Sequence, residues 1–187
     1  IQMEVFVGIL GCSQLTFVCA AAGQKTEDMI DCCRKTFEYF QGVPQAVVTD
    51  NLKAAVIKSS KYEPKLNEAF ETFCEHYGTT VIPTRAYKPK DKALVEGAVK
   101  IVYQRIYSAL ADKIFTSLKD LNAAILELLE AYNNRPLKMG ESRRQRFEQD
   151  EKHELIGLPD IAYELRESSI CTVMKNGHIN LSRDKHF

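Results

Sequence analysis

The succession of strand-like and helix-like stretches limits the folds open to this chain. Residues 3–10 and 14–20 are rich in β-branched and aromatic residues, and the short gap between them predicts an antiparallel hairpin. Apolar residues then recur at helical spacing over 26–41, with Gly42 as the expected C′ residue. The run "QAVVTD" at 45–50 is apolar at its centre, which is typical of a strand buried on both faces of a sheet. The order β, β, α, β predicts a mixed α/β layer.

Further helices and one more strand follow this layer. A second helix is predicted over 63–77, a short strand over 79–84 and a third helix over 91–110. A fourth helix begins at Ser117, whose hydroxyl is a good N-cap, and ends before Pro136. The apolar stripe predicted for the third helix consists of Val95, Val99, Val102 and Ile106.

Both ends of the chain have patterns of their own. Residues 138–155 are polar and charged, and two strand-like runs then flank Asn176 and Gly177, a strong hairpin signal. This hairpin is expected to open a small separate β unit. At the other end, Ile1 already lies in a strand-like run, so we expect a fragment of a longer protein.

The composition is that of a folded globular protein. Apolar residues make up 45% of the 187 residues, and 25 basic side chains balance 25 acidic ones. With zero net charge, a nucleic-acid partner must be recognised by a local basic patch. No apolar stretch approaches the roughly 20 residues of a membrane-spanning helix, and no leader pattern is present, which favours a cytoplasmic protein. The six cysteines lack zinc-site spacing and are expected to be buried free thiols.

Two acidic residues stand where α/β proteins place functional groups. Asp50 follows the apolar strand directly, although an Asx turn or a helix cap would also explain a carboxylate there. Glu96 lies near the start of the third helix, at the edge of its apolar stripe. Lys92 and Lys100 stand four residues before and after Glu96, so a solvated charge ladder is the alternative interpretation.

The motifs around these two residues resemble a known family. "QGVPQAVVTDNLKAAVIK" and "HYGTTVIPTRAYKPKDKALVEGAVK" are similar to the corresponding segments of IstA-type insertion-sequence transposases. Their catalytic cores are of the DDE type, resemble those of retroviral integrases and have an RNase H-like fold. The similarity extends from residue 1 to about residue 150.

The resemblance implies a fold and a domain organisation. The expected fold is an RNase H-like mixed β-sheet flanked by helices, followed by a helical extension and the start of a small C-terminal β-barrel. Three parts are expected: a DDE catalytic core over 1–135 that lacks its first strand and first Asp, a helical linker over 136–165, and the first barrel hairpin over 166–187.

The resemblance also implies a metal site. Asp50 matches the second catalytic carboxylate of the family and Glu96 the third, while no residue of this chain matches the first. Two Mg²⁺ or Mn²⁺ ions are the implied cofactors, because hard cations prefer carboxylate oxygens. Asn51 is expected either to brace the loop or to orient Asp50.

The basic residues near Glu96 are expected to bind DNA phosphates, although a solvated loop is the alternative. These residues are Arg85, Lys88, Lys90, Lys92 and Lys100. A further basic cluster is expected to follow the flanking DNA and consists of Arg143, Arg144 and Arg146.

The expected function is that of a transposase that cleaves DNA at transposon ends and transfers the strand into target DNA. Without the first Asp, the fragment alone is expected to be inactive. The alternatives are a non-catalytic RNase H-like DNA-binding or assembly module and another RNase H-like nuclease. The family implies double-stranded DNA, a homo-oligomer on DNA and an AAA+ ATPase helper as partners, no membrane, and a bacterial, nucleoid-associated location.

Overall fold

The computed structural model describes residues 3–49, 56–58, 65–83, 93–138 and 140–165, together with Val173 and His178. In these ranges strands and helices alternate as in an α/β core, and helices follow. The strands are β1 (Glu4–Ile9), β2 (Thr16–Ala21), β3 (Ala46–Thr49), β4 (Val56–Lys58), β5 (Lys65–Leu66) and β6 (Thr80–Pro83). The α-helices are α1 (Thr26–Phe40), α2 (Glu68–Tyr77), α3 (Ala93–Val102), α4 (Ser108–Leu110), α5 (Leu118–Asn134) and α6 (Arg143–Arg146).

The first two strands form the predicted antiparallel hairpin. Its register pairs Glu4 with Ala21 at one end and Ile9 with Thr16 at the other. Every residue of β2 is buried, whereas those of β1 are half-buried, so β2 is the inner strand. Strand β4 pairs antiparallel with β5.

Strands β3 and β6 run parallel to each other. Val48 lies opposite Ile82 in this pair, and the two side chains are 53% and 48% exposed. The prediction that the β3 run is buried on both faces is therefore wrong in the described part of the chain. Only the face that carries Val47 and Val81 packs on a hydrophobic cluster, which lies beneath α1 and α2.

Helix α1 lies between two hydrophobic clusters and contributes to both. Phe40 belongs to the cluster formed with β2, α5 and the extension, which also contains Phe147. Phe37 belongs to the cluster formed with α2, where its ring stacks on that of Phe73 at 5.7 Å. The aromatic residues on the inner face of α1 are therefore core residues.

Helix α2 begins later than the sequence predicts. Asn67 caps it by accepting a hydrogen bond from the Ala69 N–H at 3.0 Å, so the helix starts at Glu68 and not at residue 63. Leu66, placed on the helical stripe by its spacing, lies in β5. A competent Asx cap outweighed the continuation of the apolar spacing.

The third helix is continuous but changes its winding. Helix α3 passes into a π-helical turn over Tyr103–Tyr107 and then into α4. Val102 and Ile106 are fully buried, as predicted, but Val95 is 37% exposed. Ala98, at 4% exposure, takes its place in the buried stripe. The buried face is thus rotated from the predicted one and lies farther from Glu96.

Helix α5 has the predicted cap and core face. The Ser117 hydroxyl accepts a hydrogen bond from the Asp120 N–H at 3.1 Å, and Ile125 and Tyr132 are buried. Near its end, Asn133 is fully buried and bonds both backbone groups of Thr16, at 3.2 and 2.7 Å. This helix is therefore fixed to β2 by polar contacts as well as by apolar packing.

The helical extension continues as an extended segment that returns to the core. After α6 come a π-helical turn (Phe147–Glu151) and a 3₁₀ turn (Lys152–Glu154). Ile156 then exchanges two backbone hydrogen bonds with Val43, each 2.8 Å long. The predicted C-terminal hairpin lies almost wholly outside the described residues. No helix in the described part of the chain is long and apolar enough to cross a bilayer.

The end of α1 differs from the prediction in one detail. Gln41, with φ of 58°, takes the left-handed capping position that the sequence analysis assigned to Gly42. Gly42 is needed for a different reason. A Cβ at Gly42 would lie 2.7 Å from the Leu155 Cβ and 3.2 Å from the Ile156 carbonyl oxygen.

Candidate active site and DNA-binding surface

Two strands that flank the predicted site, β3 and β6, are neighbours in the described structure. Strand β3 ends at Thr49, directly before Asp50, and it runs parallel to β6, which precedes the helix of Glu96. The carboxyl ends of the two strands therefore lie side by side. The predicted site residues Asp50, Asn51, Arg85, Lys88, Lys90 and Lys92 lie outside the described residues.

Glu96 stands in the first turn of α3 with its side chain exposed to solvent. Within the described part of the chain its carboxylate has neither a hydrogen bond nor an ion pair. At 100° per residue, Glu96 lies about 160° around the helix from the buried Ala98. It therefore faces outward, away from the stripe that anchors α3.

Lys100 is also exposed and lies one turn beyond Glu96. A glutamate four residues before a lysine is the favourable orientation for a helical ion pair. Other i, i+4 pairs do form among the described residues, for example Lys152 with Glu148 at 2.7 Å. Glu96 and Lys100 form no such pair in the described structure, which leaves both charges available to other groups.

The donor chemistry fits a hard divalent cation. Glu96 offers two carboxylate oxygens without a competing partner among the described residues, and oxygen is the donor that Mg²⁺ prefers. A group of three or more metal-ligating side chains is absent from the described residues, a set that does not include Asp50. Glu4 belongs elsewhere, because it accepts a hydrogen bond from Gln24 Nε2 at 2.8 Å.

Two members of the predicted arginine cluster are engaged within the protein. Arg143 is 8% exposed, and its guanidinium lies 4.1 Å from the centre of the Tyr132 ring. Arg144 donates hydrogen bonds to the Tyr39 hydroxyl at 2.7 Å and to Glu130 at 3.0 Å. These contacts tie α6 to α1 and α5. They account for both residues without DNA.

The cysteines behave as core residues in the described part of the chain. Cys19, Cys32, Cys33 and Cys74 are buried free thiols, and Cys12 is exposed. Burial raises the pKa of the Cys33 thiol well above its ordinary value and that of Cys74 to about 12. A protonated, buried thiol is a poor metal ligand and a poor nucleophile. The prediction of buried free thiols is confirmed for the four buried cysteines and wrong for Cys12, whose thiol is free but exposed.

One exposed aromatic residue near Glu96 was passed over in the sequence analysis. Tyr103 begins the π-helical turn and is 55% exposed, with its ring 5.3 Å from that of Tyr107. Its position seven residues after Glu96 is the signal that could have found it, since seven residues make almost two helical turns.

Comparisons with known proteins agree with this fold. Residues 2–89 match the family described as the integrase core domain. The catalytic core domain of BIV integrase superposes with a TM-score of 0.62 over 81% of this chain and 90% of that domain, at 16% identity. A simian T-cell lymphotropic virus intasome chain gives the same TM-score over 90% of this chain.

Relatives at the sequence level are named as transposases. A Sinorhizobium fredii protein with that name is 42% identical over 181 residues, which is 96% of this chain and 35% of the relative. The protein of this name for insertion sequence IS408 of Burkholderia multivorans is 38% identical over an equal share of each chain. The transposase of IS21 from Pseudomonas aeruginosa is 26% identical over 99% of this chain and 47% of its own length. The chain thus spans about a third to a half of these relatives.

The fold and the matched region define an integrase-type core with an RNase H-like fold. Along almost its whole length the chain is similar to insertion-sequence transposases, and residues 2–89 carry the integrase core. The family resemblance and the fold class predicted from the sequence are therefore confirmed.

Proposed function

We propose that this chain is the catalytic part of a transposase that cuts phosphodiester bonds at transposon ends and joins the freed 3′-hydroxyl to target DNA. The observation that carries the proposal is the exposed carboxylate of Glu96, which has no partner among the described residues, on the helix that follows β6 in an integrase-type core. A carboxylate held in place by its helix and free of internal partners is suited to bind an external cation.

Asp50 and Glu96 are the residues proposed to hold two Mg²⁺ or Mn²⁺ ions, together with an Asp from a segment preceding Ile1. When bound, such ions activate the attacking oxygen and stabilise the leaving one. Asn51 is proposed to orient Asp50 or to brace its loop. The exposed position of Glu96 supports this assignment, because the reacting phosphodiester must reach the site from solvent.

The strand pairing supports an additional strand from the preceding segment. Among the described strands, β1 pairs only with β2 and β3 pairs only with β6. Each of these strands therefore has an edge that can accept another strand by backbone hydrogen bonding. Without that segment, the fragment alone is proposed to be inactive.

DNA phosphates are proposed to bind beside the two carboxylates. Lys100 is exposed, lies on the same face as Glu96 and has no acidic partner in the described structure. Its ammonium group can therefore neutralise a phosphate next to the reacting one. The remaining proposed phosphate contacts are Arg85, Lys88, Lys90 and Lys92.

The proposed assembly is a homo-oligomer that holds paired DNA ends and is served by an AAA+ ATPase helper, in a bacterial, nucleoid-associated location. A solved relative of the same fold is described as part of an intasome, which supports an oligomer on DNA.

The variant Glu96→Gln in the full-length protein tests the catalytic role. It keeps the size of the side chain but removes the charge that a divalent ion requires, so strand transfer is lost while DNA-end binding and thermal unfolding stay near wild type. Glu127→Gln, at an exposed position of α5, is the matched control and retains transfer. Near-normal transfer by Glu96→Gln contradicts the assignment. A full-length wild-type protein that binds ends but never transfers them favours the non-catalytic module.

The variant Lys100→Ala tests the phosphate contact. Binding should weaken, and the slope of log affinity against log salt should become shallower by about 0.9, the value for one phosphate contact on duplex DNA. Lys119→Ala, at an exposed position of α5, provides the control and keeps the wild-type slope. Equal slopes for Lys100→Ala and wild type would exclude this contact.

A further inference from the structure

Three exposed side chains line one face of the helix that carries the catalytic glutamate. Glu96, Lys100 and Tyr103 stand at positions i, i+4 and i+7, and all three are exposed. At 100° per residue they fall within an arc of about 60°. Ala98, Val102 and Ile106 lie outside this arc and are buried. The helix thus presents an acid, a base and an aromatic ring together to solvent.

The Tyr103 ring is held in place although more than half of it is exposed. It contacts the Tyr107 ring at 5.3 Å with an angle of 34° between the planes. Tyr107 in turn packs on the main hydrophobic cluster, and its enclosed hydroxyl has no hydrogen-bond partner in the described part of the chain. A ring supported in this way loses little conformational entropy when another flat group stacks on it.

The local winding of the helix adds to this argument. The π-helical turn spans Tyr103–Tyr107, so both tyrosines lie at its ends. Such turns are rare within α-helices and occur frequently at functional sites. Within this turn the two rings are in contact and Ile106 stays in the core.

We propose that Tyr103 stacks on an unpaired DNA base close to the reacting phosphodiester. Seven residues at 1.5 Å each place Tyr103 about 10 Å along the helix from Glu96, which corresponds to roughly three nucleotides of one strand. Lys100 supplies the phosphate contact, and the neutral ring of Tyr103 supplies a surface on which any base can stack. The inference rests on the proposed transposase function and assigns a further DNA-binding residue to its site.

The closing experiment uses the full-length protein and two forms of one DNA probe. The first is a duplex of the element's terminal sequence with a short unpaired strand at the cleaved end. The second is the same duplex with abasic unpaired nucleotides. Binding is measured over a range of salt concentrations for wild type, Tyr103→Ala, Tyr103→Leu and Tyr103→Phe, and thermal unfolding verifies that each variant is folded.

Loss of base stacking predicts a specific pattern. Tyr103→Ala and Tyr103→Leu weaken binding to the first probe roughly tenfold, whereas Tyr103→Phe binds like wild type. The salt slope stays unchanged, because the ring carries no charge. Wild type loses a similar factor on the abasic probe, and Tyr103→Ala loses nothing further there. Ile114→Ala removes a side chain that is 95% exposed and leaves binding unchanged.

Two results would overturn the inference while leaving the proposed function intact. One is tight wild-type binding that Tyr103→Ala does not change. The other is additive losses from Tyr103→Ala and the abasic probe, since independent losses mean that the ring and the bases do not touch. A wild-type protein that does not bind the end duplex overturns the proposed function and this inference together.

Discussion

Gly42 and Leu155 approach each other so closely that no side chain fits between them. A Cβ at Gly42 would lie 2.7 Å from the Leu155 Cβ, a contact that real Cβ atoms essentially never show. The next residues, Val43 and Ile156, are joined by two backbone hydrogen bonds. The glycine of the "QGVP" motif therefore allows the extended segment after the helical extension to lie against the end of α1.

We expect Gly42→Ala to lower the free energy of unfolding by about 1 to 3 kcal/mol. The added methyl group meets a Cβ rather than the flexible end of a side chain, so the segment at Leu155 must move and its backbone bonds to Val43 weaken. Chemical denaturation of the full-length protein measures the change.

Gly97→Ala is the matched control for this prediction. No described residue lies within 4 Å of a Cβ at Gly97, which is exposed in α3, so alanine should stabilise the helix by up to about 1 kcal/mol. Equal effects of the two substitutions would show that the contact with Leu155 is unimportant.

The carboxylate of Glu151 fixes the turn between β1 and β2. It accepts hydrogen bonds from the backbone N–H groups of Cys12 and Ser13, at 3.0 and 2.9 Å, and from the Ser13 hydroxyl. Glu151→Gln should reduce stability by about 1 to 3 kcal/mol, because the new amide NH₂ faces an N–H donor. Equilibrium unfolding at neutral pH measures this loss.

The control for Glu151 is an exposed glutamate of the π-helical turn that contains both residues, Phe147–Glu151. Glu148 pairs with Lys152 at 2.7 Å on the surface, and Glu148→Gln should cost less than about 1 kcal/mol. Equal free energies of unfolding for the two variants would show that the hydrogen bonds of Glu151 contribute no more than a surface ion pair does.

The sequence predicted those elements whose signals are local. The β1–β2 hairpin and the Ser117 cap of α5 follow from residue types within a few positions of each other, and both are confirmed. The αL position after α1 was assigned to Gly42 but is taken by Gln41, and Gly42 is needed for its close approach to Leu155, more than a hundred positions away. Such long-range contacts leave no periodic signal in the sequence.

Less of the candidate site than of the fold could be predicted from the sequence. Spacing predicted Glu96 at the edge of the apolar stripe, whereas in the structure it lies farther from the buried face, since Val95 is exposed and Ala98 is not. Small residues such as alanine carry a weak hydrophobic signal, so the stripe was rotated in the prediction. The meeting of Asp50 and Glu96 stays a prediction, because Asp50 lies outside the described residues.

The contacts of Arg144 predict a structural role. Its guanidinium bonds Tyr39 and Glu130, and burial and the hydrogen bond to Glu130 raise the pKa of Tyr39. Arg144→Ala should therefore lower stability by about 1 to 2 kcal/mol and leave the salt slope of DNA binding unchanged. Differential scanning calorimetry and salt titrations of binding are the two measurements.

Arg146 provides the comparison for Arg144. It belongs to the same short helix, but no hydrogen bond or ion pair of its side chain occurs among the described residues, so Arg146→Ala should alter stability by less than about 0.5 kcal/mol. If Arg144→Ala made the salt dependence of DNA binding shallower and left stability unchanged, Arg144 would be a DNA contact and not a structural residue.

The buried thiol of Cys74 should make stability fall at alkaline pH. Burial raises its pKa from an ordinary value of 9.0 to about 12, so between these two values the unfolded chain has released a proton that the folded chain still holds. The unfolded state then binds fewer protons, and the free energy of unfolding decreases as pH rises, by at most about 1.4 kcal/mol per pH unit for this thiol. Cys74→Ala should flatten that decline between pH 9 and 12, although Cys33, whose pKa is also raised by burial, preserves part of it.

Phe73→Leu is the control at the neighbouring core position. It lowers stability but keeps the wild-type slope of stability against pH, because it removes no titratable group. Urea unfolding at a series of pH values distinguishes the two variants, and an identical slope in Cys74→Ala and wild type would show that this thiol ionises as readily in the folded protein as in the unfolded chain.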